Sequence, residues 1–279
     1  MPPFSVPIET LPLFSVLDKK LLELLRSLTP ADWARPTLAR QWTVKDIAAH
    51  LLDGNLRTLS MLRDGYFGEE PNDFSYAGMV AYLNGLNADW VRAARRLSPA
   101  VLVELLAASG AEYTAYLNTL DPWATAAFSV AWAGESESLN WFHIARDYTE
   151  KWHHQQQIRE AVDQTEALMT PELFRPLIET FMRGLPHAYR EVAAPAGTRV
   201  QVTIGPELGG TWQLERSSKG WQLAESLQAV AAATVTLAPD HAWKLFTKAL
   251  SAAETRQLAQ VGGNEQLIAP FFGLVAVMA

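Results

Sequence analysis

Apolar residues recur at intervals of three and four through the first two thirds of the chain, which is the spacing of helices with one buried face. Leu17, Leu21 and Leu24 form one such row near the start of the chain. This spacing, together with the positions of the prolines, predicts helices over residues 11–28, 42–52, 75–97, 98–120, 141–159 and 170–185. Loops are predicted around residues 29–36 and 123–134.

The second predicted helix has a well-marked start. Thr43 is a good N-cap, and Asp46 stands where a capping box places its acidic side chain. Trp42 and Ile47 can pack against each other as a hydrophobic staple. His50 lies on the apolar side of this helix, where a histidine is usually a core residue with a satisfied hydrogen bond.

Near residue 195 the pattern changes to an alternation with a period of two. Strands are predicted over Arg199–Ile204, 211–215, 220–224 and 233–238, and helices follow over 241–250, 252–259 and 266–277. The chain is therefore predicted to be mostly α-helical with a C-terminal α+β domain. The boundary is predicted within residues 191–198, which divides the chain into residues 1–192 and 193–279.

Composition narrows the classes of function. The chain has 279 residues, 49% of them hydrophobic, and a formal net charge of −7 without a Lys/Arg-rich run, so a basic nucleic-acid-binding patch is not supported. The chain contains no cysteine, which excludes disulfides, a catalytic Cys and a Cys-ligated metal. We see no secretory signal, and the apolar residues 271–279 are fewer than the about 20 that span a bilayer. We therefore expect a cytoplasmic protein that binds neither membrane nor nucleic acid.

The predicted helix over 141–159 has two distinct sides. One side carries Trp141, Ala145, Tyr148 and Trp152, and the opposite side carries His143, Asp147, Glu150, His154 and Gln157. Glu150 and His154 are i, i+4 neighbours, so both side chains can reach one ion. A carboxylate oxygen with an imidazole nitrogen suits zinc or a similar divalent metal. The alternative is that the polar side is the solvated face of an amphipathic helix.

His50 on the second predicted helix supplies a further imidazole. Two His ligands and one carboxylate match the catalytic type of zinc site, which leaves a position open for water or substrate. Helical bundles build such sites from side chains that face inward on neighbouring helices.

Two segments carry a resemblance to a known family. Residues 42–51, Trp-Thr-Val-Lys-Asp-Ile-Ala-Ala-His-Leu, resemble the second-helix motif of the DinB-like metalloproteins, in particular the mycothiol-dependent maleylpyruvate isomerase branch. The later Glu150-x-x-x-His154-x-x-Gln157 is similar to the matching second half, although that branch has Asp where Gln157 stands. The resemblance implies a four-helix bundle with one divalent metal held by His50, Glu150 and His154, with zinc as the first choice and nickel as the alternative. Residues after about 195 are similar to the sterol-carrier-like domain that follows the bundle in this family.

Other histidines of the same helix compete for a role. His153 is also i+3 from Glu150 and would replace His154 as a ligand if the helix were rotated. His143 could be a partner of a ligand, a substrate contact or a surface residue.

Three further polar residues have predicted supporting roles. Asp147 or Gln157 could orient a ligand imidazole, as groups outside the metal's own ligands commonly do. Arg159 points towards the apolar side of the helix, so we expect a structural role for it rather than an anion contact.

The resemblance implies a low-molecular-weight thiol such as mycothiol as cofactor, and the chain has no thiol of its own. The first hypothesis is a divalent-metal-dependent enzyme that uses this thiol for transfer to, or isomerisation of, a small electrophilic substrate. The alternatives are a metal-dependent hydrolase on the same bundle and a non-enzymatic protein that binds a small ligand. The sequence leaves the oligomeric state open, with a homodimer as one option.

Overall fold

The computed structural model describes residues 6–224 and 230–277, which form a helical part followed by an α+β part. The helices of the first part are α1 (Phe14–Ser27), α2 (Pro30–Trp33), α3 (Val44–Thr58), α4 (Tyr76–Ala94), α5 (Pro99–Leu117), α6 (Asn140–Ala161), α7 (Pro171–Met182) and α8 (Leu185–Ala188). The predicted fold class, mostly α-helical with a C-terminal α+β domain, is confirmed.

One predicted loop contains a helix instead. Residues 30–33 form the single turn α2, because Thr29 and Asp32 make a complete capping box and Pro30 occupies the first helical position. The capping hydrogen bonds of this turn therefore form a helix in a segment where Pro30 and Pro36 predicted a loop.

The start of α3 matches the prediction from the sequence. The Thr43 backbone N–H donates to the Asp46 carboxylate at 3.1 Å, and the Asp46 N–H donates to the Thr43 hydroxyl at 3.3 Å. Burial alone would raise the pKa of Asp46, but hydrogen bonds from Arg95 and Thr43 outweigh it and hold that pKa below its ordinary value. This anchored start sets the rotation of α3 and therefore the direction in which His50 points.

Helix α6 is the centre of the helical part. It packs against α1, α3 and α7, so it has no broad solvated face. His143, His154 and Gln157 lie on its polar side and are buried, as is Trp152 on its apolar side. The interpretation of this polar side as a solvated face is therefore wrong.

The α+β part contains a five-stranded sheet with the strand order β3-β2-β1-β4-β5. The strands are β1 (Arg199–Ile204), β2 (Gly210–Ser217), β3 (Gly220–Leu223), β4 (Ala233–Leu237) and β5 (Gln260–Gly263). Strands β1 and β4 are parallel, and the other neighbouring pairs are antiparallel. Val200, Val202 and Ile204 alternate as buried residues along β1, as the period of two predicts.

Three helices accompany the sheet, and two details here differ from the prediction. They are α9 (Pro239–Phe246), α10 (Ala252–Leu258) and α11 (Glu265–Ile268). The helix predicted over 266–277 is wrong beyond α11, because the chain continues as a 3₁₀ turn, Ala269–Gly273, that contains Pro270. Strand β5 was not predicted, since its Gln-Val-Gly-Gly sequence has low strand propensity and forms only by pairing with β4.

One hydrophobic core joins the helical part to the α+β part. It includes Phe14, Tyr148 and Trp152 from the helices together with Val202 and Trp243 from the later part. A second, smaller core lies between α1, α3 and α5. Within the described ranges, no helix combines the length and apolar character that crossing a bilayer requires.

Candidate metal centre

Glu150, His153 and His154 form a compact group on α6. Their donor atoms all lie within 4.8 Å of one another. The Oε2 atom of Glu150 lies 3.7 Å from Nε2 of His154 and 4.0 Å from Nε2 of His153. Two ligands of a tetrahedral zinc ion stand about 3.3 Å apart when each bond is about 2.0–2.1 Å long. Small movements would therefore let this group hold an ion.

Helix α3 brings His50 against His154 of this group. The ring centroids of His50 and His154 are 4.6 Å apart, with the planes inclined at 74°. The indole of Trp42 packs against both rings, at 4.8 Å from His50 and 6.2 Å from His154 between centroids. His50 lies outside the compact group, and its ring meets that group through His154. Of the three residues predicted as ligands, Glu150 and His154 belong to the compact group on α6, whereas His50 contacts the His154 ring and His153 takes the third place in the group.

Hydrogen bonds set the orientation of the two imidazoles on α6. Nδ1 of His154 lies 2.9 Å from the side-chain oxygen of Gln157, and Nδ1 of His153 lies 2.8 Å from the carbonyl oxygen of Thr149. Since both oxygens accept, each Nδ1 donates its proton, and each Nε2 keeps a lone pair for a metal. Gln157 therefore occupies the orienting position that the sequence analysis gave to Asp147 or Gln157. The helix needs no rotation for His153 to face Glu150.

Burial controls the charges of these groups. It lowers the pKa of His50 and His154 well below the ordinary value and lowers the pKa of His153 to about 4. It also raises the pKa of Glu150 to about 7, against an opposing contribution from Arg146. Neutral imidazoles are the form that binds metals, and a bound cation would offset the cost of burying the Glu150 carboxylate.

A buried imidazole nitrogen without a hydrogen-bond partner also supports a divalent metal at this site. Nδ1 of His50 is buried and has no hydrogen-bond partner among the described residues. Buried polar atoms are nearly always paired, so a buried nitrogen without a partner calls for a ligand or a water molecule. Two imidazole nitrogens and one carboxylate oxygen form a set that zinc accepts.

A buried polar network lies one turn before Glu150. The Tyr113 hydroxyl donates to Asp147 at 2.7 Å, and Arg146 pairs with the same carboxylate at 3.1 Å. Arg146 also donates to Nε2 of His143 at 3.2 Å, and the Phe128 ring packs against that imidazole at 6.3 Å. The surface position considered for His143 is therefore wrong, and Asp147 holds Arg146 and Tyr113 rather than a ligand imidazole.

Three further residues near the site have roles that follow from their contacts: Arg159, Arg146 and Trp42. Arg159 is buried and donates to the Lys20 carbonyl at 3.0 Å, which agrees with the structural role expected for it. The sequence analysis did not single out Arg146 for the site. Its i, i+4 spacing to Glu150 was a usable signal, because residues four apart share a helix face. Trp42 was assigned only to a staple, and its contact with His50 depends on how the loop before α3 folds back.

We expect Gln157→Leu to weaken zinc binding roughly 10–100-fold, the usual effect of losing a hydrogen-bond partner of a ligand imidazole. The measurement is a zinc titration against a competing chelator. Gln156→Leu is the matched control, because the Gln156 amide donates to the Thr165 carbonyl at 3.1 Å and does not contact the imidazoles. Equal zinc affinities for the two variants would show that Gln157 does not orient His154.

Several solved structures are similar to this chain, and the first of those described here supports the fold. One solved structure, a variant of the mycothiol-dependent maleylpyruvate isomerase, matches with a TM-score of 0.50 and 10% identity over 90% of this chain and 91% of that chain. A second structure of the mycothiol-dependent maleylpyruvate isomerase gives a TM-score of 0.48 and 12% identity over 85% of this chain and 87% of that chain. The UbiJ-SCP2 ubiquinone synthesis protein gives a TM-score of 0.27 and 17% identity over 38% of this chain and 99% of that chain. None of the curated proteins matches this chain.

A family model gives the stronger result. The model described as the mycothiol maleylpyruvate isomerase N-terminal domain matches residues 14–159. This range is more than half of the chain and includes His50, Glu150 and His154. The chain therefore belongs to the mycothiol maleylpyruvate isomerase N-terminal domain family.

Proposed function

We propose that this protein is a divalent-metal-dependent enzyme that uses a low-molecular-weight thiol, mycothiol or a close equivalent, on a small electrophilic substrate. The observation that supports the proposal is the compact group of Glu150, His153 and His154 on α6, with the His50 ring of α3 against His154, inside the segment matched by the family model. The thiol follows from the family, whose description includes mycothiol. The absence of cysteine means that no protein thiol competes for this role.

His50, Glu150 and His154 would hold the metal, and zinc suits these three donors best. A metal bound there supplies positive charge that favours the thiolate form of a bound thiol. Gln157 keeps Nε2 of His154 available, and the Trp42 ring limits access of water to His50. Arg146, held by Asp147, places a positive charge near Glu150 and helps to keep that carboxylate ionised.

The proposed reaction begins when the thiol loses its proton and its sulfur bonds to an electrophilic alkene carbon, while the electron pair of the double bond moves onto the conjugated carbonyl oxygen. In an isomerisation the resulting carbon–carbon single bond rotates, the pair returns to form the double bond again, the sulfur–carbon bond breaks, and the thiol regains its proton. In a transfer the sulfur–carbon bond is kept and the thiol's proton ends on the product. The chain's part in both is to bind and orient the two molecules, which makes their reaction effectively unimolecular.

The test uses maleylpyruvate and mycothiol as the first substrate pair, because the family description names both. Purified protein is stripped of metal, reconstituted with zinc or nickel, and assayed with and without the thiol. We expect turnover only when metal and thiol are both present, and His187→Ala, at a position away from the site, should keep it. Consumption of substrate with water and without thiol would favour a hydrolase. Substoichiometric metal after reconstitution would favour a ligand-binding protein that is not an enzyme.

A further inference from the structure

Helix α6 reaches solvent at only a few positions. Among residues 141–159, all of which the structure describes, only Arg146, Glu150 and Lys151 are not buried. Lys151 turns to α1, where its ammonium lies 2.9 Å from the Asp18 carboxylate. Arg146 and Glu150 each expose 30% of their side chains. These two residues are i, i+4 neighbours, so they mark one opening to solvent on the side of α6 that carries the metal centre.

The guanidinium of Arg146 is held on that side of the helix by two contacts. Its Nη2 atom lies 3.1 Å from Oδ1 of Asp147 and 3.2 Å from Nε2 of His143. Both partners belong to the polar side of α6, which also carries Glu150 and His154. Because Asp147 and His143 are themselves buried, they hold the guanidinium in place on the helix turn next to Glu150.

Part of this guanidinium remains free to bind a ligand. An arginine side chain carries N–H donors on Nε, Nη1 and Nη2, and both contacts of Arg146 use Nη2. Toward the described residues, Nε and Nη1 of Arg146 make no hydrogen bond, and neither atom is enclosed by protein. Arg159 of the same helix differs, because its Nη1 and Nη2 atoms donate to the carbonyls of Gln164 and Lys20. Arg146 is therefore the arginine of α6 that presents donors to the opening.

Two neighbours shape the environment of these free donors. The Phe128 ring lies 6.3 Å from the His143 imidazole and is 42% exposed, so it forms an apolar wall beside the opening. An apolar wall lowers the local dielectric constant and strengthens the attraction between charges. The Asp147 carboxylate is shared, because its Oδ2 accepts from the Tyr113 hydroxyl at 2.7 Å while its Oδ1 faces Arg146. The guanidinium therefore keeps positive charge for a further anion.

We propose that Arg146 binds a carboxylate of the electrophilic substrate at the opening beside Glu150. This inference rests on the proposed function, which places the reacting thiol beside His50, Glu150 and His154. A substrate whose electrophilic carbon meets the sulfur there extends over the next turn of α6, where the free donors of Arg146 form charge-assisted hydrogen bonds with a carboxylate. The substrate class is thereby narrowed to small unsaturated acids, with the carboxylate a few bonds from the carbon that the thiol attacks.

The test compares 3-mercaptopropionate with its neutral amide, 3-mercaptopropionamide, as ligands of the full-length, zinc-loaded protein. The acid reproduces the sulfur and the carboxylate of the product that a thiol forms with a small unsaturated acid. Calorimetric titration gives both Kd values, and their ratio within one protein cancels any change in the fold that affects both compounds alike. We expect the wild type to bind the acid about tenfold more tightly than the amide, which is a difference of about 1.4 kcal/mol.

In Arg146→Gln we expect the two compounds to bind with nearly equal affinity, because glutamine offers hydrogen bonds but no charge. Arg256→Gln is the matched control and should keep the wild-type preference. Arg256 also pairs with a carboxylate, that of Glu265 at 2.8 Å, and is similarly exposed, but it lies on α10. The zinc content of each protein is measured first. If Arg146→Gln holds no zinc, Arg146→Lys takes its place and should show a smaller preference for the acid than the wild type, since a lysine cannot reproduce all the contacts of a guanidinium.

The possible results separate this inference from the proposed function. Equal affinity of the wild type for acid and amide overturns the inference and leaves the proposed function standing. A preference that persists undiminished in the Arg146 variant also overturns it, since the carboxylate then contacts another group, such as the metal. If neither compound binds the zinc-loaded wild type, the proposed function is contradicted, and the inference fails with it.

Discussion

His50→Ala is expected to abolish tight zinc binding while the fold stays largely intact. The variant removes one of the two imidazoles proposed as ligands together with Glu150, and its effect should exceed the roughly 10–100-fold loss expected from an outer hydrogen-bond partner. The helices meet through apolar packing that does not involve the metal, as the core between α1, α3 and α5 shows. Zinc affinity is measured by competition with a chelator, and the fold is checked by circular dichroism.

His187→Ala is the matched control for this experiment, because His187 lies on α8, away from the group. Its zinc affinity should equal that of the wild type. Unchanged affinity in His50→Ala would remove His50 from the site and leave Glu150, His153 and His154, the compact group on α6, as the ligands. His153→Ala then decides between the two sets: it should be nearly silent if His50 is a ligand and severe if it is not.

Trp243→Ala is expected to lower the free energy of unfolding by about 3–5 kcal/mol, the usual effect of truncating a fully buried aromatic side chain. Trp243 is fully buried and packs against Trp152 of α6. Because the total stability of a domain is only about 5–15 kcal/mol, the variant should be close to unfolding at physiological temperature. Urea denaturation followed by circular dichroism measures the change.

The number of steps in the urea unfolding curve tests whether the two parts of the chain unfold together. Since Trp243 and Trp152 belong to one continuous core, we expect the helical part and the α+β part to unfold together in a single step. Trp123→Ala, at a position that is 38% exposed, should lower stability much less than Trp243→Ala. Two separate transitions, with only the later residues destabilised by Trp243→Ala, would show that the predicted domains 1–192 and 193–279 are energetically independent.

Several parts of the site were predictable because they depend on neighbours along the chain. The capping box of Thr43 and Asp46 is a local signal, and it sets where α3 starts. The facing of Glu150 and His154 follows from the helical repeat alone. The possibility that Gln157 orients an imidazole follows from the same repeat, since it lies three residues after His154.

Other features could not be read from local patterns. The sequence pattern on the polar side of α6 is the same whether solvent or other helices cover that side. It is buried because α1, α3 and α7 pack against the helix. Strand β5 has a weak strand sequence and exists through its pairing with β4.

The sequence by itself determined most of the helices, the start of α3, the positions of strands β1 to β4 along the chain and the pair of donors on α6, because each of these depends on interactions within a few residues. Only the tertiary structure decided that the His50 ring meets His154, that His153 also faces Glu150, and that the α+β part shares its core with the helices. These features depend on which surfaces pack together, and packing is stabilised by the sum of many weak contacts between residues that are distant in the sequence. The physical division is therefore between helix caps and residue periodicity, which depend on neighbours along the chain, and strand pairing and burial, which depend on distant segments.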